Sequence, residues 1–538
     1  MSSLKLQVKQ WLSRVPVAAE AYWRWVDQAG PTLHFSGKNS LERLESHIPS
    51  WLELARHSRT EAEPGKRLAI FATFRYWIEH AVLTGLTLAG MGHDVTLAYL
   101  PYARYRIQVQ PFDLQRQDAY VRDSLRGLAP LVKVVSIFSD GFSDVHIPKA
   151  IAPALEEISL RDSQYSLRVE DVDPSSDLYR LRLARNEFAA RSLLRWLRRE
   201  EPDVFIVPNG SILEYGVAYH VARHLNVPVV TYEFDEPQHR IRLGQNTEVM
   251  REETDALWQA RRELPLTEKQ RARVSELLSA RQKGSKWQNF PIQFQGVPKQ
   301  GGEEIHRGFG LDERPVVLLA PNVFGDSATL GRQVFSDSMT EWLGRTLLHF
   351  VDRDDVQLLI RIHPSEARFP TGTSMEEVVR QTLPQLPEHI RLIAAEDPIN
   401  TYDLVEIASL GIVYTTTVGL EMSLSGVPVV VTGFTHYRGK GFTLDPQTWE
   451  EYFETIERAL QDPNAYRLDE AQLRDAWKYA YHFFFEFTHP FPWHLLYFWD
   501  DVETWPLKEV LGAEGLEIFR ESFQWLAGEP IDWSFSGL

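Results

Sequence analysis

Four short stretches of this chain carry residues suited to chemistry on an anion. In "LLIRIHPSEARF" (358–369) a buried strand stops at a histidine and a proline. There Arg361 offers a fixed fork of donors, and His363 a donor or a general acid. In "GIVYTTTVGLEMSLSGVPVVVTG" (411–433) the hydroxyls of Thr415, Thr416 and Thr417 precede a helix beginning near Val418. The free N–H groups of such a helix start, and its dipole, favour negative charge. A threonine followed by Glu421 one turn later also has the form of a capping box. In "GFTHYRGKGFT" (433–443) Arg438 and Lys440 stand between glycines, and in "APNVFGDSA" (320–328) Asn322, Gly325, Asp326 and Ser327 form a polar turn. Each stretch also has a purely structural reading: a capped strand end, a capped helix, a solvated basic loop, a turn.

What could bring them together is the alternation around them. Strands are expected at 67–74, 94–100, 132–138, 203–209 and 227–234, then at 315–322, 356–363, 390–395, 410–415 and 427–433, with helix-length segments between. Apolar β-branched runs separated by helices mean βαβ units and mainly parallel sheets. In such sheets ligands bind at the carboxyl ends of the strands, where all four stretches fall. The glycine-, proline- and glutamine-rich stretch 284–304 reads as a linker. The expectation is therefore an α/β protein of two Rossmann-like domains facing a central cleft. Residues 1–64 form an N-terminal helical extension, 65–290 the first domain and 305–465 the second. Residues 466–538 form an aromatic helical segment packing back on the domains. The acidic stretches "EDVD" (170–173) and "DRDD" (352–355) lack a strand context and read as solvated surface rather than cation sites.

Composition narrows the function. The chain has 538 residues, 43 % apolar and 24 % charged, the balance of a globular protein of two or three domains. With 57 basic and 74 acidic residues its net charge is −17, which argues against nonspecific binding to nucleic acid or to an anionic membrane. It has no cysteine, so disulfides, thiol catalysis and cysteine-ligated zinc are excluded. No P-loop and no G-x-G-x-x-G pattern follows the strands. Without a signal-type apolar core or a membrane-length apolar run, the expected place is the cytoplasm, with at most peripheral contact at the inner face of the membrane.

The ordered set "PNVFGDS", "SMTEWLGRTL", "IRIHPSE", "NTYDLVEIASLGIVYTTTVGLEMSLSGVPVVVTG" and "HYRGKGFT" resembles the nucleotide-binding half of capsular-polysaccharide-type glycosyltransferases of the GT-B fold, a group that includes transferases of 3-deoxy-manno-octulosonic acid (Kdo). The resemblance covers roughly 315–445, and bacterial sialyltransferases and polyol-phosphate transferases share a similar His-Pro plus Ser/Thr arrangement. It implies that His363 contacts the donor phosphate and assists the leaving group. Thr415 and Thr416 then stand where a Ser/Thr pair binds that phosphate, and Glu421 where such folds bind the donor sugar. Tyr437, Lys440 and Gly441 match a loop closing the site. The chain departs in having three threonines, and it lacks the acidic pair plus glycine of sialyltransferases.

The reading that results is a glycosyltransferase of surface polysaccharide biosynthesis. It moves a sugar from a nucleotide-activated donor to a glycan or lipid-linked hydroxyl, with no cofactor and no metal. Asn322, Asp326, Ser327, Arg361, Thr415–Thr417, Glu421, Tyr437, Arg438 and Lys440 would bind the donor, whose cytidine base is implied by the resemblance alone. An acceptor hydroxyl needs a base. Glu233 and Asp235 of "YEFDEP" are the candidates, with Asn209 and Gly210 at the neighbouring strand end. A polyol-phosphate transferase, a sugar-nucleotide epimerase and a noncatalytic glycan-binding relative are the alternatives.

Overall fold

Runs such as "RLAIFA" and "VFIVP" are buried along nearly their whole length, as strands covered on both faces must be. The computed structural model describes residues 3–15, 18–26, 35, 37–234, 236–288, 297–368 and 372–534. The chain divides into two compact units. The first holds β1 (Arg67–Ala72), β2 (Asp94–Tyr99), β3 (Val132–Ser136), β4 (Val204–Pro208), β5 (Val229–Glu233) and β6 (Arg240–Gln245). Strands β1 to β5 are parallel in the order β3-β2-β1-β4-β5, the doubly wound arrangement, and β6 adds antiparallel to β5.

The second unit holds β7 (Val316–Ala320), β8 (Gln357–Arg361), β9 (Ile390–Ile393), β10 (Leu410–Val413) and β11 (Val429–Val431). All are parallel, in the order β11-β10-β7-β8-β9, which is again doubly wound with its switch point between β7 and β10. Strand register fixes which residues share a level at the sheet edge. Val413 lies opposite Ala320, and Leu319 opposite Ile360. Continued two or three residues past the paired segments, that register sets Thr415, Asn322 and His363 at one level on three adjacent strands.

The α/β class agrees with the sequence, but the boundaries differ. The first unit comprises 1–162, 173–250 and 489–531, the second 163–172, 251–488 and 532–538. Residues 1–64 are not an appendage. The helix Glu42–Arg59 buries Leu44, Ile48, Trp51, Leu52 and Ala55 at helical spacing and packs on the helix Arg75–Gly90. The first domain ends at 250 rather than 290, because Leu257, Trp258, Val274 and Leu277 lie in the core of the second unit. The expected linker thus falls within that unit, with 289–296 outside the described residues. The aromatic segment also divides. Tyr479, Phe483 and Phe487 join the second core, whereas Phe491, Trp493, Phe498 and Phe523 join the first. There the two-residue β12 (His489–Pro490) pairs antiparallel with β6. Glu170, expected on solvated surface, caps the helix Met339–Phe350 by accepting from the N–H groups of Met339 (2.6 Å) and Thr340 (2.8 Å).

Candidate functional site

The carboxyl ends of β10, β7 and β8 are the centre of the second sheet, at and beside its switch point. Asn322, just past β7, accepts a 3.0 Å hydrogen bond from the Thr415 N–H and so ties the two central strand ends together. The Thr415 hydroxyl is buried and has no hydrogen-bond partner among the described residues. A buried hydroxyl without a partner costs about 1–3 kcal/mol, so its presence at a ligand edge calls for an explanation.

The threonine run and the following loop are laced together. Thr435 Oγ1 donates to the Thr415 carbonyl at 3.3 Å, and the buried Tyr437 hydroxyl donates to that of Thr416 at 2.7 Å. Burial raises the Tyr437 phenol well above its ordinary range, which keeps it a donor. Gly419 makes the approach possible: a Cβ there would lie 2.4 Å from the Tyr437 hydroxyl oxygen. The capping box does not form. Thr417 takes helical angles (φ −58°, ψ −23°) and makes no side-chain cap to the seven-residue helix Val418–Leu424. Glu421 instead accepts from Arg281 (2.9 Å) and from the Tyr402 hydroxyl (2.9 Å).

The Nδ1 of His363 is held by Ser365. It accepts from the Ser365 N–H at 3.1 Å and lies 2.6 Å from the Ser365 hydroxyl. A backbone N–H can only donate, so the neutral ring carries its proton on Nε2. Burial, with the charge of Arg361 beside it, lowers the pKa to about 4. At neutral pH His363 is therefore a neutral Nε2–H donor rather than an imidazolium.

The expected cations are placed differently. Arg361 is buried and donates to the carbonyls of Ala394 and Ile399 (3.1 Å to the latter), so its guanidinium braces the segment after β9. Burial lowers its pKa to about 10. Arg438 donates to the carbonyls of Val431 and Pro446 and holds its own loop closed. Lys440 pairs with Asp255. The loop is packed rather than solvated. His436 stacks on Phe483 with ring centroids 3.6 Å apart, and its carbonyl accepts from Thr254 and Tyr479. Asp326 and Ser327 occupy the turn after β7, where Asp326 accepts from the Ala328 N–H at 3.0 Å. Gly325 there (φ +67°) lets the backbone of residues 164–168 pass close by.

Sequence reasoning passed over Glu366, three residues beyond His363. It is buried, accepts from the Met375 N–H at 3.2 Å, and burial raises its pKa to about 7. Only a tertiary environment gives it that character.

In the first unit Asn209 (φ +57°) and Gly210 (φ +80°) follow β4. Asn209 accepts from the N–H groups of Ser211 (3.0 Å) and Ile212 (3.2 Å) and donates to Glu233 at 2.9 Å. Glu233 also accepts from the Phe234 N–H at 3.0 Å. Asp235 lies outside the described residues. Nearby in the same unit is a fully buried charge network that the sequence did not signal. Arg182 bonds Asp162 (3.0 Å) and Glu214 (3.2 Å), Arg185 bonds Glu214, and both arginines donate to carbonyls of the loop after β2, at Arg104 (2.7 Å) and Tyr105 (3.3 Å). With each guanidinium matched by a carboxylate, the network fixes that loop without net charge.

Fold and edge chemistry define a doubly wound α/β protein whose second sheet gathers hydroxyls, an amide and an imidazole at its central strand ends. The family described as capsule polysaccharide biosynthesis protein matches residues 297–483, about a third of the chain and all of that sheet. No curated protein matches the chain. Among solved structures, the beta Kdo 2,4 transferase KpsC of Thermosulfurimonas dismutans is similar at 15 % identity, over 51 % of this chain and 78 % of that one, with a TM-score of 0.31. The UDP-GlcNAc 2-epimerase of Neisseria meningitidis bound to UDP-GlcNAc is similar at 14 % identity, over 78 % and 99 %, with a TM-score of 0.24. The glycosyltransferase SsfS6 of Streptomyces sp. SF2575, complexed with thymidine diphosphate, gives 11 %, 83 % and 98 %, and 0.20. At these identities and TM-scores none of the three bears on what this chain does.

Proposed function

We propose that the chain is a glycosyltransferase of surface polysaccharide biosynthesis, transferring a sugar from a nucleotide-activated donor to a hydroxyl acceptor on a glycan or a lipid-linked glycan. The observation that carries this reading is the alignment of Thr415, Asn322 and His363 at the carboxyl ends of three adjacent parallel strands, inside the segment that the capsule family matches. The Thr415 hydroxyl, without a partner among the described residues, would take a phosphate oxygen of the donor. His363, held as an Nε2–H donor by Ser365, would take another and stabilise the charge that grows as the nucleotide leaves. Fixed donors of this kind act without reorganising during the reaction, and the proposed transfer is metal-independent.

Tyr437 and Lys440 support the loop on which the donor would rest, Arg361 and Arg438 hold the frame, and Glu421 orients through Arg281 and Tyr402. Asp326 and Ser327 border the donor edge on the β7 turn. Glu233, already positioned by Asn209, is the residue we assign as acceptor base.

Calorimetric titration with UDP, GDP, CMP and CDP tests donor binding, and a transfer assay with the matching sugar nucleotides, with and without EDTA, tests the chemistry. Binding of one nucleotide with EDTA-resistant transfer is the expected result. Absence of binding by all four would sink the enzymatic reading, and donor epimerisation without acceptor, seen by NMR, would replace transfer with isomerisation.

A further inference from the structure

Past the last residue of β8 the chain runs Ile362, His363, Pro364, Ser365, and the order of the last three decides how the imidazole stands. Proline has no N–H and holds φ at about −65°, so the first backbone donor after His363 is that of Ser365. This N–H reaches back to the ring, donating to Nδ1 at 3.1 Å, and the Ser365 hydroxyl lies 2.6 Å from the same atom. The His363 carbonyl accepts from the Glu366 N–H at 3.0 Å, which closes the turn. It is the histidine counterpart of the turn in which an Asn or Asp side chain bonds the backbone two residues on.

One residue thus brings two donors to one nitrogen. With Nδ1 fixed as the lone-pair atom by the N–H, the hydroxyl beside it donates as well. A half-turn flip of the ring would put a carbon where Nδ1 stands and lose both bonds. The other tautomer would set a ring proton against the Ser365 N–H. The charged neighbours along the chain are turned elsewhere. Arg361 gives its guanidinium to the carbonyls of Ala394 and Ile399, and Glu366 accepts from the Met375 N–H.

We propose that Ser365 is a positioning residue for His363: its hydroxyl, with the N–H that follows Pro364, locks the imidazole in one orientation as an Nε2–H donor. The inference rests on the proposed transfer reaction for what the ring then does. It shares its proton with a phosphate oxygen and keeps it, acting as a fixed dipole rather than as a general acid. Ser365 acts through the ring and not on the donor.

The full chain, isotopically labelled in its histidine ring nitrogens, is read by NMR at pH 7 without nucleotide, and His363 is assigned from the signal lost in His363→Gln. A single Nε2–H signature is expected. Ser365→Thr, which keeps the hydroxyl, should retain it. Ser365→Ala, which keeps the backbone N–H alone, should show the two tautomers in exchange. Ser365→Asp sets an acceptor where the hydroxyl donor stood and should move the proton to Nδ1. In transfer, Ser365→Ala should lose about 2–12-fold in kcat, the worth of one neutral hydrogen bond. Its KM should change by less than about twofold, and Ser365→Thr should restore the rate. An Nδ1–H or imidazolium signature in the wild type overturns the proposal, as does an alanine variant with the wild-type spectrum or the wild-type kcat. The spectra need no nucleotide, so a chain that binds none would fail the transfer reading while its ring signature still decided this one.

Discussion

Replacing Thr415 by valine should move stability and binding in opposite directions. The side chains are nearly the same shape, and the hydroxyl removed has no partner among the described residues. Losing it relieves the desolvation of an unsatisfied group, so the unliganded chain should gain about 1 kcal/mol, an increase of about 2–4 °C in the unfolding midpoint of a unit this size. Nucleotide affinity should fall, because a hydrogen bond to a charged phosphate oxygen is worth about 1.5–3 kcal/mol, or about 10–150-fold in Kd. Scanning calorimetry reads the first quantity and isothermal titration the second, on the same preparation. A variant that melts lower and binds nucleotide normally would refute the reasoning, for the hydroxyl would then be a bonded structural group.

His363→Ala should lower turnover by about 10²–10³-fold, the scale of losing one preorganised donor, and wild-type turnover would remove His363 from the mechanism. Glu366→Gln should stabilise the chain at pH 8 by about 1–3 kcal/mol and have no effect near pH 4, as denaturant titrations at the two pH values will show. The sign follows from the carboxyl pKa, raised by burial to about 7. Stability from its protonated form is full below the unfolded value near 4.5 and is lost as pH rises through 7. In the first unit, burial lowers His80 and His489 to about 3. Both rings stay neutral when folded but take up protons below about pH 6.5 when unfolded, so stability should fall by about 1.4 kcal/mol per pH unit for each between pH 6.5 and 4. A flat melting profile across that range would contradict it. Gly419→Ala should cost about 1–3 kcal/mol by pushing the Tyr437 hydroxyl off the Thr416 carbonyl, whereas an unchanged midpoint would mean that the loop yields freely.

Strands β7 to β11 were legible because apolar β-branched runs of five or so residues between helices admit little else, and with them the place of Asn322, His363 and Thr415 at carboxyl strand ends, whereas their common level needed the strand register. Arg361 was not legible. An arginine at a strand end can meet a phosphate or backbone carbonyls, and the carbonyls it meets, at Ala394 and Ile399, lie some thirty residues along the chain. Glu421 likewise looked like a local cap until Arg281, 140 residues away, was seen to hold it. The aromatic tail read as one segment because composition does not say which core each ring enters, and Phe487 and Phe491 enter different ones. The Arg182–Asp162–Glu214–Arg185 network left no trace in the sequence because its two carboxylates sit on two other helices than its arginines, amid many solvated charges.

The chain leaves the first unit at Met250 and returns to it only at His489. On a ribosome adding about 5–20 residues each second, the outer strand paired with β6 and the rings of Phe491, Trp493 and Phe523 reach the nascent fold roughly 10–50 s after the rest of that unit has emerged. Until then β6 presents an unpaired edge and an unfilled apolar face, so chaperone dependence during synthesis should track the distance between 250 and 489 rather than overall length.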